Sequence, residues 1–304
     1  MSIGIYMPQE RGGVWTRERL ISENIPEVEI FHKISDAKKY DLLDLQHQQS
    51  PRLWKYPFIE TFHGLLPLKY CTNFHAKLSM LRYHIWKRMS LKKAKKVICV
   101  SQEARRQIAW IPQKKIKVIH AGIPVERYER GKKENKIMFL NSLEKYENGI
   151  DLIKAGNNLL GKYPIKMYGE GRLEKEYKEL AGHNIQILNE VSNDIIKQEL
   201  STSKCLVHCP LQETFGIPII EAMASGTITI VSDIPSHREL FKNVLFYDPG
   251  DIPRLSELIE EVMRGEHNYL IEPALQEVKD KYNLSQMIKK TKEVYDEVES
   301  WSRK

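Results

Sequence analysis

No stretch of this chain comes near the ~18 consecutive apolar residues that a membrane-spanning helix requires, so no helical bilayer crossing is expected. The opening Met-Ser-Ile-Gly-Ile-Tyr-Met-Pro-Gln-Glu has neither the basic start nor the apolar run of a signal peptide. Cysteine is scarce. Cys71, Cys99, Cys205 and Cys209 show no disulfide framework, which fits a reducing compartment and a cytoplasmic protein that at most touches a membrane from its inner face. Cys205, His208 and Cys209 are close enough to suggest zinc. Cys205, Val207 and Cys209 alternate as a buried strand does, however, and no second ligand cluster accompanies them, so no metal is expected.

Acidic residues are missing altogether between Glu60 and Glu103, where Lys69, Lys77, Arg82, Lys87, Arg88, Lys92, Lys93, Lys95 and Lys96 accumulate. Such a stretch implies an anionic partner: a membrane surface, phosphate or nucleic acid. No recognised nucleic-acid motif accompanies it, which ranks nucleic acid last. Leu78, Leu81, Ile85 and Met89 recur within it at helical spacing. Two readings stay open. One is an ordinary amphipathic helix with solvated lysines; the other is an interfacial helix, from Lys77 to Lys96, that docks on an anionic membrane.

What is present describes a globular protein of more than one core. A chain of 304 residues, 41% hydrophobic and 29% charged, suits two α/β domains better than one. Short apolar runs at 3–8, 28–34, 42–47, 58–62, 96–101 and 116–120 alternate with helix-length amphipathic stretches. A second set follows at 137–140, 165–168, 185–188, 205–209, 227–231 and 244–247. This alternation predicts βαβ units and parallel sheets, hence an α/β fold of two Rossmann-like domains. The polar segment 126–136 reads as the linker. The expected division is 1–125, 126–285, and a terminal helix at 286–304 that packs back towards the first domain. Ligands in such sheets bind beyond the carboxyl ends of strands, so the loops after Pro8, Phe62, Leu140 and Pro210 are the candidates.

The densest chemistry lies at 205–232. After the strand come Glu213-Thr214-Phe215-Gly216, a short helix expected near 218–225 with Pro218 at its start, and Gly226 as its cap. The amides of Gly216 and its neighbours, with the positive end of the helix dipole, make an anion site. Glu221, expected in the first turn, can accept hydrogen bonds from a diol such as a ribose. Glu213 can grip hydroxyls of a sugar attached to the bound phosphate. Gly169-Glu170-Gly171 follows a strand but lacks the third glycine of a dinucleotide fingerprint.

Glu213, Phe215, Gly216, Glu221, Ala222, Met223, Ala224 and Gly226 together resemble the E-x-F-G-x-x-x-x-E-A-M-A-x-G element of glycosyltransferase family 4. Supporting similarities run along the chain: Gly12-Gly13, Thr61-Phe-His63-Gly64, Val97–Ser101, Val118–Gly122, Ser232–Glu239, Tyr247-Asp-Pro-Gly-Asp251 and the terminal helix. The resemblance implies the GT-B architecture, two Rossmann-like domains facing across a cleft. It implies a retaining transferase that moves a hexose from a nucleoside diphosphate sugar to a glycan or lipid-linked acceptor, with no metal and no cofactor. It assigns donor-sugar contacts to Glu213 and His63, and the ribose to Glu221. The diphosphate falls to the backbone of Thr214, Phe215, Gly216 and Ile217 and to close approach at Gly12 and Gly13.

One element departs. Where the family has G-R-L-x(3–4)-K-G, this chain reads Asn141-Ser142-Leu143-Glu144-Lys145-Tyr146-Glu147-Asn148-Gly149. Ser142 replaces the arginine and Asn148 the lysine, and Lys145, Arg172 or Arg11 is expected to supply the missing charge. The alternatives within the fold are a binding protein of weak or no transferase activity and a sugar-nucleotide epimerase.

Overall fold

The computed structural model describes residues 1–8, 12–46, 50–71, 73–189 and 191–302. The chain divides into two compact units, Met1–Gly122 with Leu284–Lys304, and Ile123–Asn283. The first unit holds β1 (Ile3–Tyr6), β2 (Val28–Phe31), β3 (Leu42–Leu45), β4 (Phe58–Phe62), β5 (Val97–Cys99) and β6 (Ile116–Val118). They form one parallel sheet in the order β2-β1-β3-β4-β5-β6. The second unit holds β7 (Glu134–Leu140), β8 (Ile165–Tyr168), β9 (Ile185–Leu188), β10 (Ser203–His208), β11 (Ile228–Ser232) and β12 (Leu245–Tyr247). Its parallel sheet runs β12-β11-β10-β7-β8-β9.

Both sheets are apolar because both faces are covered. In the second unit alternate residues of one strand serve opposite layers. Ile137 and Phe139 of β7 join Leu152 and Ile153 of the Gly149–Asn158 helix and Leu255 and Leu258 of the Ile252–Arg264 helix. Met138, on the other face, joins Leu206, Ile196, Leu200 and Ala222. The period of two along the strand thus decides which helix each side chain meets.

In the first unit β1, β2, β3, β5 and β6 stop earlier than the apolar runs suggest, and in the second β7 and β10 start earlier. Glu134 to Lys136, expected in the linker, belong to β7, with Glu134 in register with Ser203. Lys136 explains the gain: its ammonium donates to Thr202 Oγ1 at 2.8 Å and pairs with Glu199 at 2.9 Å. Polar side chains therefore tie down the strand's start, where an apolar pattern shows nothing.

The first unit carries buried charge. Lys87 lies on the inward side of the Phe74–Lys93 helix, where it pairs with Glu60 of β4 and donates to the Gln46 carbonyl at 2.8 Å. Lys96 also turns inward, to Glu297 at 2.7 Å. Neither is the solvated lysine that the basic run suggests. Beside them Asp44 of β3 accepts from Thr61 Oγ1 and from Tyr295, both at 2.8 Å. The latter bond fastens the Leu284–Ser302 helix to the sheet of its unit. Glu18 and Arg17, on the Gly12–Asn24 helix, are buried as a pair close to Asp44. Among the described residues no helix is long and apolar enough to cross a membrane.

Burial, and then the charge of Glu18, push the Asp44 carboxyl up to about 7. An unfolded aspartate titrates near ~3.9. Between those values the native state holds the proton that the unfolded chain has released, so this group's contribution to stability falls as pH rises. Asp44→Asn should flatten that part of the curve of melting temperature against pH between about pH 4 and 7. Identical slopes in variant and parent would remove Asp44 as the source.

Candidate functional site

In the second unit the strand order reverses between β7 and β10. The chain leaves β7 towards the helix on one face and leaves β10 towards the Ile217–Ala224 helix on the other, so a crevice opens above the two strand ends. The loops on its rim are bonded to each other. Leu211 donates its amide to the Tyr146 carbonyl at 2.7 Å, and the Cys209 thiol donates to the Asn148 carbonyl at 3.2 Å. A third loop closes against the first: Leu143 donates to the Glu170 carbonyl at 2.9 Å. A Cβ on Gly169 would fall 1.9 Å from the Asn141 oxygen and one on Gly171 2.4 Å from the Leu143 oxygen. These two glycines are explained by that close approach of backbones.

Glu213, Thr214, Phe215, Gly216 and Ile217 form one turn. Gly216 caps the helix in the left-handed region at φ 92° with no side-chain cap, and its carbonyl takes the Ile219 amide at 3.1 Å. Pro218, within that first turn, gives up only an amide that had no helical partner. Phe215 is buried edge-on against Tyr282, with ring centroids 5.5 Å apart, and anchors the turn to its own core. Thr214 spends its amide on Glu213 Oε1 at 3.3 Å.

Glu213 has a partner that the motif does not contain. Its Oε2 lies 3.1 Å from Nε2 of His208, the last residue of β10. His208 is buried, and its Nδ1 has no hydrogen-bond partner. The ring of His237 stands 5.5 Å away, centroid to centroid. Its Nδ1 is 2.8 Å from the Ser232 carbonyl, which can only accept, so Nδ1 carries the hydrogen and Nε2 is a bare, buried acceptor. Burial, followed by the charge of His208, lowers His237 to about 4 and keeps it neutral. Burial also works to raise Glu213, but the hydrogen bond and charge of His208 outweigh it and hold this carboxyl below its ordinary value.

Glu221 is not in the first turn. The helix begins at Ile217, which makes Glu221 its fifth residue, one turn along. Its Oε1 accepts from the Tyr128 hydroxyl at 2.8 Å, and burial pushes its carboxyl up to about 7. Arg172 already forks onto Glu144, with Nε and Nη2 2.9 and 2.7 Å from Oε2. Lys145 is exposed on the same loop, in no ion pair among the described residues. Gly12, Gly13 and His63 belong to the first unit. Gly12 has φ 76° and open space where a Cβ would go, and Gly13 lies in the first turn of the helix it opens. His63 Nε2 lies 2.7 Å from Gln46 Oε1 and 3.9 Å from Glu18. Arg11 lies outside the described residues.

His208, His237 and Glu147 escape the motif reading. A signal existed for His208. In β10 it shares the face of Leu206, opposite Cys205 and Val207, and a polar residue on a buried face five places before Glu213 calls for a partner. No cluster of three or more His, Cys, Asp or Glu that could hold a metal occurs among the described residues.

The sequence profile of the family described as glycosyl transferases group 1 matches residues 125–281, and that of glycosyltransferase family 4 matches 9–127. An uncharacterized glycosyltransferase of Methanocaldococcus jannaschii is 26% identical over 270 residues, 79% of this chain and 69% of that protein. The O-antigen chain mannosyltransferase RfbU of Salmonella typhimurium is 29% identical over 202 residues. That match spans 63% of this chain but only 56% of the mannosyltransferase. Among solved structures, Anabaena HepE in complex with UDP-glucose superposes with a TM-score of 0.80 at 15% identity, over 98% of this chain and 100% of its own. A glycosyltransferase from Rickettsia africae gives 0.72 at 18% identity over 98% of both chains. At these identities the solved structures establish the fold.

His208→Phe removes the donor that keeps Glu213 ionised. In carbon-detected NMR of labelled glutamate, the Glu213 carboxyl should titrate at higher pH in the variant than in the parent. An unmoved titration would show that His208 does not hold it.

Proposed function

We propose, from the premise that this chain is a GT-B glycosyltransferase belonging to the glycosyl transferases group 1 family, that it moves a hexose from a nucleoside diphosphate sugar to a glycan or lipid-linked acceptor. The reading includes retention of anomeric configuration and independence from metal. The observation that carries it is the Glu213 turn: a carboxylate kept ionised by His208 beside the uncapped start of a helix, at the switch point of a Rossmann-like sheet. Helix amides near Gly216 would take the diphosphate and Glu213 the sugar hydroxyls. Glu221 is proposed for the ribose, with the tyrosine of its present hydrogen bond beside it. Lys145 is the cation proposed for the leaving group, since Arg172 is engaged by Glu144. Gly12, Gly13 and His63 are proposed as the first unit's share of substrate binding.

In this chemistry the acceptor hydroxyl bonds to the anomeric carbon on the face from which the diphosphate departs, and the departing phosphate oxygen takes the acceptor's proton. The protein then contributes position and charge stabilisation. Uridine is the first base to test, because HepE is described in complex with UDP-glucose. Glu213→Gln should lower release of nucleoside diphosphate from the donor by roughly 10²–10³, the cost of one transition-state contact. Its melting temperature should stay near that of the parent. Turnover equal to the parent's would remove Glu213 from the site.

A peripheral place on the inner face of a membrane belongs to the same proposal. On the Phe74–Lys93 helix, Phe74, Leu78, Leu81, Ile85 and Met89 form an exposed stripe, Phe74 with 73% of its surface open, flanked by exposed Lys77, Arg82, Arg88, Lys92 and Lys93. Lys87, Ser90 and Leu91 are buried on this helix instead. An amphipathic helix that served only its own core would bury the stripe. Anionic lipid suits both its apolar face and its basic flanks, at about 1 kcal/mol per engaged lysine or arginine. The protein should bind anionic vesicles, lose them at high salt, and lose them on Phe74→Asp with Leu81→Asp. Indifference to anionic vesicles at low salt would return the basic run to solvent.

A further inference from the structure

Among the described residues Glu147 is a buried carboxyl with no counter-ion. It ends the turn Lys145–Glu147 after β7, on the rim of the switch-point crevice. Its loop is clamped to the Glu213 loop by the Leu211 amide and the Cys209 thiol. The side chain is buried. Oε1 accepts from the Ser142 hydroxyl at 3.4 Å, while Oε2 is shut from solvent with no hydrogen-bond partner. The charged groups that face it are carboxylates: Glu213 from the loop after β10, and Glu144 on its own turn, whose charge Arg172 meets. Directly beyond it begins the ten-residue Gly149–Asn158 helix. Asn148, left-handed at φ 55°, gives that helix no side-chain cap and turns its amide to Asp151 at 2.7 Å.

Burial, then the charge of Glu213, raise Glu147 well above the ordinary carboxylate range. The neighbouring Glu213 is held low by His208. Two carboxyls on adjoining loops are thereby assigned opposite states, one an acceptor only and the other a hydroxyl donor with an unspent O–H. Environments that push paired carboxyls apart mark division of labour at functional sites. The first-turn amides of the Gly149–Asn158 helix are spent, Ile150 on Tyr177 and Asp151 on the Asn148 carbonyl at 3.1 Å, so the Glu147 hydroxyl is the neutral donor this loop has for an acceptor such as a phosphate oxygen.

We propose that the Glu147 carboxyl donates a hydrogen bond to the donor diphosphate, the β7 loop thus offering a neutral donor where a cation would otherwise serve. This rests on the donor-site reading above. The consequence is a diphosphate affinity gated by protonation. With the proton the group attracts the ligand; without it, a second carboxylate beside Glu213 repels it.

The test is calorimetric titration of UDP into the full chain from about pH 7 to about pH 8.5, above the last phosphate ionisation near ~6 and below that of the uracil N–H. In the parent, affinity should fall at least about fivefold over that range. Glu147→Gln, which keeps an N–H donor at every pH, should bind within about threefold of the parent at pH 7 and show a flat profile. Glu147→Ala should lose about 3- to 10-fold at pH 7, the worth of one hydrogen bond. A Glu147→Gln profile that still falls, or a Glu147→Ala affinity equal to the parent's, overturns the proposal while the donor-site reading stands. A parent that binds none of UDP, GDP and ADP at any pH overturns both. Thermal melts of each variant, without ligand, separate loss of binding from loss of fold.

Discussion

The second unit depends on one adjacency, β7 beside β10. Ile137 pairs with Cys205 and Met138 with Leu206, although more than sixty residues of chain separate them. The connections of these two strands leave to opposite faces of the sheet, and the two loops meet at the strand ends, where the Leu211 amide bonds the Tyr146 carbonyl at 2.7 Å. That adjacency brings together the Glu213 turn, the Glu147 turn and the starts of two helices. Each loop separately is an ordinary strand-to-helix connection.

Buried polar groups are matched only in part in each unit. In the first, Lys87 meets Glu60 and Asp44 meets two hydroxyls, while Nε and Nη2 of Arg17 and Oε2 of Glu18 are buried without a hydrogen-bond partner. In the second, Oε2 of Glu147, Nδ1 of His208 and Nε2 of His237 are buried and unmatched within a few residues of the crevice. Unmatched buried polar atoms cost stability and are rare where only packing is at stake. Both units carry such atoms; those of the second include the Glu147 carboxyl and the His208 imidazole, on the two segments that meet at the ends of β7 and β10.

The Phe74–Lys93 helix shows why periodicity needs a structure to interpret it. Leu78, Leu81, Ile85 and Met89 repeat as a core-facing stripe would, yet they face outward and Lys87 faces in. A helical repeat states that residues share a side; it does not state which side meets the core. That choice was made by Glu60, whose carboxylate on a buried strand needs a cation more than the helix needs its leucines covered.

All twelve strands were legible as apolar runs in their order, because the central strands are largely apolar along their length, the partly open edge strands β2, β6 and β9 keep apolar residues at alternate positions, and alternation with helices implies parallel sheets. The run from Glu213 to Gly226 was legible because a turn, a helix start and its cap need particular residues at fixed spacing. Other features were decided only by folding. The sequence does not say that Glu221 sits a turn deeper in its helix, that Arg172 is spent on Glu144, or that His208 holds Glu213. Nor does it show Glu147 as anything but one more acid in a polar loop. Local pattern specifies elements because backbone geometry repeats over a few residues. The partners of a charge, and therefore its protonation state, depend on which distant segments the strand order makes neighbours.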